Sequence, residues 1–428
     1  MIKLFLGLVF LLMISFSNLS AHARHKSLST KGATINGMLQ EDSSKFFGSC
    51  VNCIEVLSDL VNAIANDENR FCTKTDCFFP AKSLTDYDLV IEDQFNWNKD
   101  KNLVIHTRGN IIFEGNGKIV SEKNGSIILK AGMEPGEKKE YKGTVKFEGD
   151  STRIEMQGSG KVKIYYNPMK EEKKHKYHNP NHYFYDQRIK TGKYNNNLSA
   201  YMLVNSIYDL QDIKTFLSGD YALSQNIDAA ETKHWFGGKG FKPLTNKDSR
   251  LEEGMPFSGD FDGNGYSISG LYINRPDEEE AGLFGGCYGW NAAHNKVENL
   301  ILKDFDITGD SYVGSLAGSA VNSDISNVRV TNSKVKGKSI AGGLIGTITK
   351  ANIENVHIAE PIEIAGREYV GFVTGGASRS NISIIFETEQ ELIEILKKYT
   401  LVGAQDKHTE IKTAFAHANL GETECASM

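Results

Sequence analysis

Cleaving a glycosidic bond takes two carboxyl groups about 5–9.5 Å apart, one acting as acid and the other as base or nucleophile. The sequence offers a pair at a suitable interval, Asp260 and Asp262, in Phe257-Ser258-Gly259-Asp260-Phe261-Asp262-Gly263-Asn264-Gly265. On a strand the two would share a face, with Cα atoms about 6.6 Å apart. The same oxygens could bind Ca²⁺. Beside glycine and asparagine, the two residues equally suit turn building. Asp304, Asp306 and Asp310 form a second acidic group.

Thiol chemistry is the next candidate. Cys50, Cys53, Cys72 and Cys77 cluster toward the N-terminal end, with Cys287 and Cys425 far downstream. A C-x₂-C followed by a C-x₄-C could hold zinc through four thiolates. In an oxidising compartment the same four residues form disulfides, in any of three connectivities. A redox-active Cys50–Cys53 pair would need a βαβ setting that the neighbouring residues do not show. Cys287 and Cys425 are either free thiols or a further bridge. His175, His178 and His182 lie in a charged, polar stretch where surface positions are expected. There is no H-E-x-x-H, and no glycine phrase has dinucleotide-fold or P-loop register, so neither a metal nor a cofactor is expected. No catalytic residue is assigned.

The compartment is read from the first residues. Met1-Ile2-Lys3 precedes an apolar run from Leu4 to Ile14, and Ala21-His22-Ala23 follows as an A-x-A cleavage site. This is the pattern of a signal peptide over residues 1–23. The rival is an uncleaved anchor, but the run falls short of the roughly 20 residues a bilayer span needs. Export to the cell surface or beyond is expected. The net charge of −6 argues against binding driven by nucleic-acid phosphates.

The elements that must hold these residues follow. Residues 24–83 carry the cysteine cluster, with helical apolar spacing from Val51 to Ile64. Residues 84–168 alternate brief β-favouring runs with glycines, among them Leu89-Val90-Ile91, Leu103-Val104-Ile105, Ile111-Ile112-Phe113, Ile127-Ile128-Leu129 and Val162-Lys163-Ile164. Short strands with frequent glycine turns indicate an all-β structure, either a sandwich or a parallel β-helix. Residues 169–200 are polar and read as a linker or long loop. Ser206 suits the N-cap of a short helix bearing Leu210, Ile213, Phe216 and Leu217. Helical spacing returns from Thr388 to Val402, as a cap over the end of the fold, and a polar tail runs to residue 428.

Between these lies a repeat. Gly282-Leu283-Phe284-Gly285-Gly286, Gly314-Ser315-Leu316-Ala317-Gly318, Gly342-Gly343-Leu344-Ile345-Gly346 and Gly371-Phe372-Val373-Thr374-Gly375 share the form G-x-[apolar]-x-G. Their first glycines, Gly282, Gly314, Gly342 and Gly371, are close to evenly spaced. A second phrase recurs at equal intervals and carries Asn299, Asn327 and Asn355. A strand of four or five residues cannot bury its inner face alone, and stacked copies supply the missing partner. Glycines allow sharp turns and close backbone approach. The asparagines could cap a bend or form a ladder down the stack. A propeller blade would be longer, at about 40–45 residues, and the leucine spacing of a leucine-rich repeat is missing. Recurrence points to structure, because a nucleotide loop occurs once.

The segment from Phe257 to Leu271 resembles the entry of GLUG-repeat regions, and the later G-x-[L/V]-x-G phrases resemble the GLUG motif itself. Upstream, Tyr201-Met202-Leu203-Val204-Asn205, Leu217-Ser218-Gly219-Asp220-Tyr221-Ala222-Leu223 and Phe241-Lys242-Pro243-Leu244 resemble the segment preceding those repeats in filamentous-haemagglutinin-like bacterial adhesins. The resemblance spans roughly residues 84–385. It implies a right-handed parallel β-helix (solenoid), with the GLUG-type part over 201–387; the helical spacings add short helices in the N-terminal region and at the C-terminal cap. It also implies export, possible use of outer-membrane export machinery, and adhesion to a host glycan or protein. It carries over no catalytic residue. Residues 24–83 are shorter than the family's secretion domain.

Overall fold

The computed structural model describes residues 76–79, 88–133, 143–168, 183–191, 197–246, 255–289 and 294–415. The signal peptide, Cys50, Cys53, Cys72, Cys425, the helix expected over 51–64 and much of 169–200 lie outside them. Cys77 falls in the strand Asp76–Phe79, but its side chain is not among those described. Among the described residues there is no disulfide, and Cys287 is a buried free thiol. No helix among them is long and apolar enough to cross a membrane.

The chain coils into a stack of parallel strands. One long ladder runs the length of the molecule, joining Asp76–Phe79, Asn102–Thr107, Ile127–Ala131, Val162–Tyr166, Leu198–Val204, Tyr221–Leu223, Phe261–Asp262, Asn295–Lys303, Ser323–Lys336, Asn352–Ala365, Asn381–Phe386 and Glu410–Phe415. Two smaller ladders complete the first coils, one through Leu89–Ile91 and one through Gln94–Trp97. Each short strand alternates, so inward residues form columns along the axis. One column runs Ile105, Leu129, Ile164 and Ala200, in register and without exposure. This is an all-β, solenoid-like architecture with short helices.

The glycine repeat builds its own ladder, in which Leu316 donates its amide to the Leu344 carbonyl and Leu344 to that of Val373. All three side chains are fully buried in one inner column. Gly314, Gly342 and Gly371 are register partners. A Cβ on Gly342 would lie 2.0 Å from the Ile345 carbonyl oxygen, and one on Gly371 1.9 Å from that of Thr374. The first glycine thus lets the chain fold back across its own next strand. The second glycines stack too: Cβ atoms on Gly346, Gly375 and Gly403 would come 2.5, 3.0 and 2.5 Å from the carbonyl oxygens of Gly318, Gly346 and Gly375. The first copy departs from the sequence alignment. Phe284 pairs with Ala317 and Gly286 with Ser319, so Gly285, not Gly286, stacks on Gly318. That copy has one residue fewer between its crossing points.

Asn299, Asn327 and Asn355 sit in the left-handed region, at φ 58°, 55° and 52°. Asparagine tolerates that region better than other side chains. The Asn327 amide donates to Asn299 Oδ1 (3.0 Å) and the Asn355 amide to Asn327 Oδ1 (3.2 Å). A parallel ladder links Asp324, Asn352 and Asn381 at 2.9 Å per step.

Two short α-helices interrupt the stack among the described residues. Ile207–Asp212 (α1) is capped by Ser206, which accepts the Asp209 amide. Glu389–Lys398 (α2) is capped by Thr388. It ends four residues before the expected Val402, because Tyr399-Thr400-Leu401-Val402 favours extended backbone. The chain then re-enters the stack as Thr400–Gln405 and Glu410–Phe415. Helix α2 therefore lies across one side only, where Tyr399 Oη meets the Ile362 carbonyl and Lys398 meets Glu360. His357 occupies the outward position of Arg329 and faces Glu391.

Candidate functional site

The residues that could bind or react converge on the outer face of the long ladder. Phe261 points into the core, so its neighbours Asp260 and Asp262 both face outward. Register carries this face along the axis. Asp220, Asp260, Lys296, Asp324 and Asn352 form one column, and Asp262, Glu298, Ser326 and Glu354 form the next. The later members line a groove of about 250 Å³: Lys296, Glu298, Asp324, Ser326, Asn352 and Glu354.

Where the groove begins, the face is concave. Neighbouring strands are about 4.8 Å apart, so three ladder steps separate straight-stacked strands by roughly 14 Å. Val162–Tyr166 and Phe261–Asp262 are three steps apart. Yet Tyr165 Oη donates to Asp262 Oδ2 at 2.7 Å. Lys163 Nζ lies 3.6 Å from Glu298, four steps away, and Lys130 Nζ reaches Asn264 Oδ1 at 2.9 Å, also across four. Side chains this far apart touch only if the sheet bends toward them. The bend falls at the shortest coil of the ladder, between register partners Met202 and Tyr221, where α1 replaces strands of the smaller ladders.

The concavity holds a small second core outside the solenoid. Met133, Tyr165, Tyr201, Leu203 and Ala222 are buried on the outer face. Tyr165 and Tyr201 stack at 5.0 Å, and Lys130 Nζ sits 4.9 Å from the Tyr165 ring centre. Burial, together with the nearby Asp262 charge, holds the Tyr165 phenol well above its ordinary pKa. Burial and the fields of Asp260, Asp262, Asp220 and Glu298 do the same for Tyr201.

The acids differ sharply in their partners. Asp262 is fully engaged, accepting from Tyr165 Oη, the Asn264 amide (2.8 Å) and Asn299 Nδ2 (3.0 Å), and so heads the asparagine ladder. Asp260 Oδ1 accepts the Lys296 amide at 2.9 Å; burial raises its pKa, while that bond and the Lys296 and Lys163 charges oppose the rise. Asp220 Oδ1 accepts the Asp260 amide at 2.9 Å. Burial pushes the Asp220 carboxyl up to about 7, the Asp260 charge adds to this, and no cation among the described residues opposes it. Acids shifted this way collect at functional sites. The sequence singled out Asp260 and Asp262 but passed over Asp220 and Tyr201. The available signal was the doublet Ser218-Gly219-Asp220 and Ser258-Gly259-Asp260.

Asp304, Asp306 and Asp310 do not converge. Asp304 accepts the Asn332 amide group, and Asp310 pairs with Lys338 at 3.4 Å. Among the described residues no group of three or more His, Cys, Asp or Glu could hold a metal ion.

Comparison with known proteins adds a motif and distant relatives. The GLUG motif matches residues 309–336. Halomucin from Haloquadratum walsbyi is 34% identical over 137 residues, which is 31% of this chain and 2% of that protein. A putative Gly-rich membrane protein from Evansella cellulosilytica is 30% identical over 127 residues, 27% of this chain and 13% of that protein. The chain thus matches only a small part of these relatives' lengths. No solved structure matches it significantly. The chain therefore bears a GLUG motif and is weakly similar to short stretches of these two proteins.

Proposed function

We propose that this chain is an exported, adhesin-like surface protein that binds its ligand along the outer face of the long ladder without catalysing a reaction. The stack is read as a right-handed β-helix of the filamentous-haemagglutinin type, since parallel crossovers are almost always right-handed. The observation that carries the reading is the groove over Glu298, Ser326 and Glu354. It runs along the axis as a ladder of outward polar groups, suited to an extended ligand held by several weak contacts. Possible ligands are a host glycan or a host protein. Nucleic acid is disfavoured by the net charge of −6. Outer-membrane export machinery is a proposed partner in secretion.

The test is to probe the mature chain against glycan and host-protein arrays while measuring release of reducing sugar. Specific binding without product, lost when Ser326→Tyr fills the groove, supports the reading. No binding on either array sinks it. The pair Asp220 and Asp260 on adjacent rungs favours a second reading, polysaccharide cleavage, because one carboxyl has its pKa raised to about 7. Release of sugar that stops in Asp220→Asn would establish cleavage instead.

A further inference from the structure

Helix α1 and the segment between Ile227–Asp228 and Thr245–Asn246 hold aromatic rings in water. Tyr208, on α1, is 57% exposed, and Phe236, in the segment, is 49% exposed. Both pack on the half-buried Trp235, Tyr208 at 5.4 Å and Phe236 edge-on at 6.4 Å, and Trp235 lies 6.4 Å from the buried Phe241. Phe236 also sits in the left-handed region, at φ 50° and ψ 41°. A bulky side chain there is an outlier, and strain of this kind collects at functional sites. Glycine would adopt the same backbone freely, as Gly237 and Gly238 do at φ 68° and 87°, where nothing lies within 4 Å of a Cβ position. The arrangement is rigid. Gln211, also on α1, exchanges two hydrogen bonds of 2.9 Å with the Lys242 backbone. The buried Arg275 donates to the Phe241 and Gly240 carbonyls at 2.9 and 3.1 Å and to Glu278 at 2.7 Å, and its guanidinium carbon stands 5.6 Å from the Phe236 ring centre. The fold therefore fixes in place a ring that it leaves half in solvent.

We propose that Tyr208, Trp235 and Phe236 form a second binding surface, for an uncharged pyranose chain. A pyranose ring carries C–H bonds on its faces and hydroxyls around its rim, so it can lie flat on an aromatic ring while its edge makes hydrogen bonds. The polar groups beside the rings differ in sign. Glu231 accepts the Tyr208 hydroxyl through Oε2 at 2.9 Å, and Lys242 Nζ sits 4.7 Å from the Phe236 ring centre with no carboxylate partner among the described residues. A carboxylate beside one ring and an ammonium beside the other disfavour a purely anionic ligand, such as an acidic lipid surface, and a purely cationic one alike. Hydroxyls donate to the first and accept from the second. A proline-rich segment offers apolar faces but no backbone donor for Glu231. None of these residues lines the groove of the outer face, so the surface goes beyond that reading and does not depend on it.

The experiment is affinity electrophoresis of the mature chain through gels containing galactomannan, xyloglucan, mannan or dextran. Retardation in at least one gel is expected. Tyr208→Ala should weaken it about tenfold and Phe236→Gly about fivefold. Phe236→Gly also separates binding from folding. It relieves the left-handed strain, so its melting temperature should equal or exceed that of the native chain while its binding falls. Glu231→Gln and Lys242→Met should each weaken binding about threefold. Ser326→Tyr, which fills the groove, should leave the retardation unchanged. No retardation in any gel overturns the proposal, and so does equal retardation of the native chain, Tyr208→Ala and Phe236→Gly. Retardation lost in Ser326→Tyr but kept in Tyr208→Ala also overturns it, and returns the sugar to the groove with the outer-face reading intact. Co-sedimentation with phosphatidylglycerol vesicles that depends on Phe236, without retardation by any of the polysaccharides, overturns it in favour of a membrane surface.

Discussion

In the coils between Leu89 and Val204, aromatic rings fill much of the interior. Trp97, Phe113, Tyr166 and Tyr183 are almost fully buried, with Phe113 5.1 Å from Phe147 and Tyr166 4.9 Å from Tyr183. In the coils between Glu280 and Gln405, backbone meets backbone across glycines, and aliphatic side chains dominate the inner column. Coil length differs in the same way. Successive register partners Leu103, Ile127, Val162 and Leu198 are unevenly spaced, the first interval being much shorter than the next two. Val297, Ile325, Ile353, Ile382 and Ile411 recur at intervals that differ by no more than a single residue. Side-chain filling tolerates insertions at the corners. Backbone crossing does not, because each glycine must land on the one below.

The largest effect should therefore come from adding one methyl group to the second region. Gly342→Ala or Gly371→Ala places Cβ about 2 Å from a carbonyl oxygen, and the coil cannot relax without breaking its crossing. A loss of about 4 kcal/mol or more is expected in chemical denaturation. Gly265→Ala is the control: φ is +81° but nothing lies within 4 Å, so backbone strain alone should cost about 1 kcal/mol. Equal losses at the two kinds of site would break the comparison.

In the first region the corresponding sensitivity is to removed volume. Phe113→Ala should cost about 3–5 kcal/mol, as the rings around it collapse only in part. Phe113→Leu should recover most of that, because shape there is set by side chains and can be refilled. Unfolding monitored by Trp97 fluorescence, in a chain carrying Trp235→Phe and Trp290→Phe, would read this region. A loss from Phe113→Leu as large as that from Phe113→Ala would show that the first region is as rigidly specified as the second.

Much of this contrast could be read before the structure. The alternation in Ile127-Ile128-Leu129 and Val162-Lys163-Ile164, and the constant interval between Asn299, Asn327 and Asn355, are local signals, and local signals determine which residues face inward. Gln94–Trp97 escaped because its outward residues are Gln94 and Asn96, leaving only Phe95 and Trp97 to mark a strand. The register of Gly285 escaped because Gly285 and Gly286 are chemically identical and only the partner below distinguishes them. The concave end was invisible for a deeper reason. It joins Tyr165 to Asp262, far apart in the chain, and sheet curvature is a property of the stack that no short window contains.

Asn327 tests the boundary between the two kinds of stabilisation. Its left-handed φ of 55° and its place in the amide ladder are separable. Asn327→Ala should cost about 1–2 kcal/mol from both causes. Asn327→Gly removes the amide but relieves the strain, so it should cost less. A glycine variant as damaging as alanine would put the whole effect in the side-chain ladder.

The smallest effect, and the one that probes the joint between the regions, is Asp220→Asn read against pH. The Asp220 carboxyl is raised to about 7 in the folded chain, against about 3.9 for an unperturbed aspartate. Between these values the folded state holds a proton that the unfolded state has released, so this group makes stability fall as pH rises from about 4 to about 7. Above that it opposes folding by a constant amount, reduced from the full linkage value because the side chain is only partly buried. Asparagine keeps the oxygen that accepts the Asp260 amide and carries no charge. Asp220→Asn should therefore match the native chain near pH 4 and exceed its stability by about 1 kcal/mol near pH 8. Asp262→Asn should behave oppositely, destabilising at neutral pH, because it sets an amide donor among three groups that already donate to Asp262. Thermal melts at the two pH values distinguish these outcomes. If both variants lost stability at neutral pH, Asp220 would be as firmly built into the joint as Asp262.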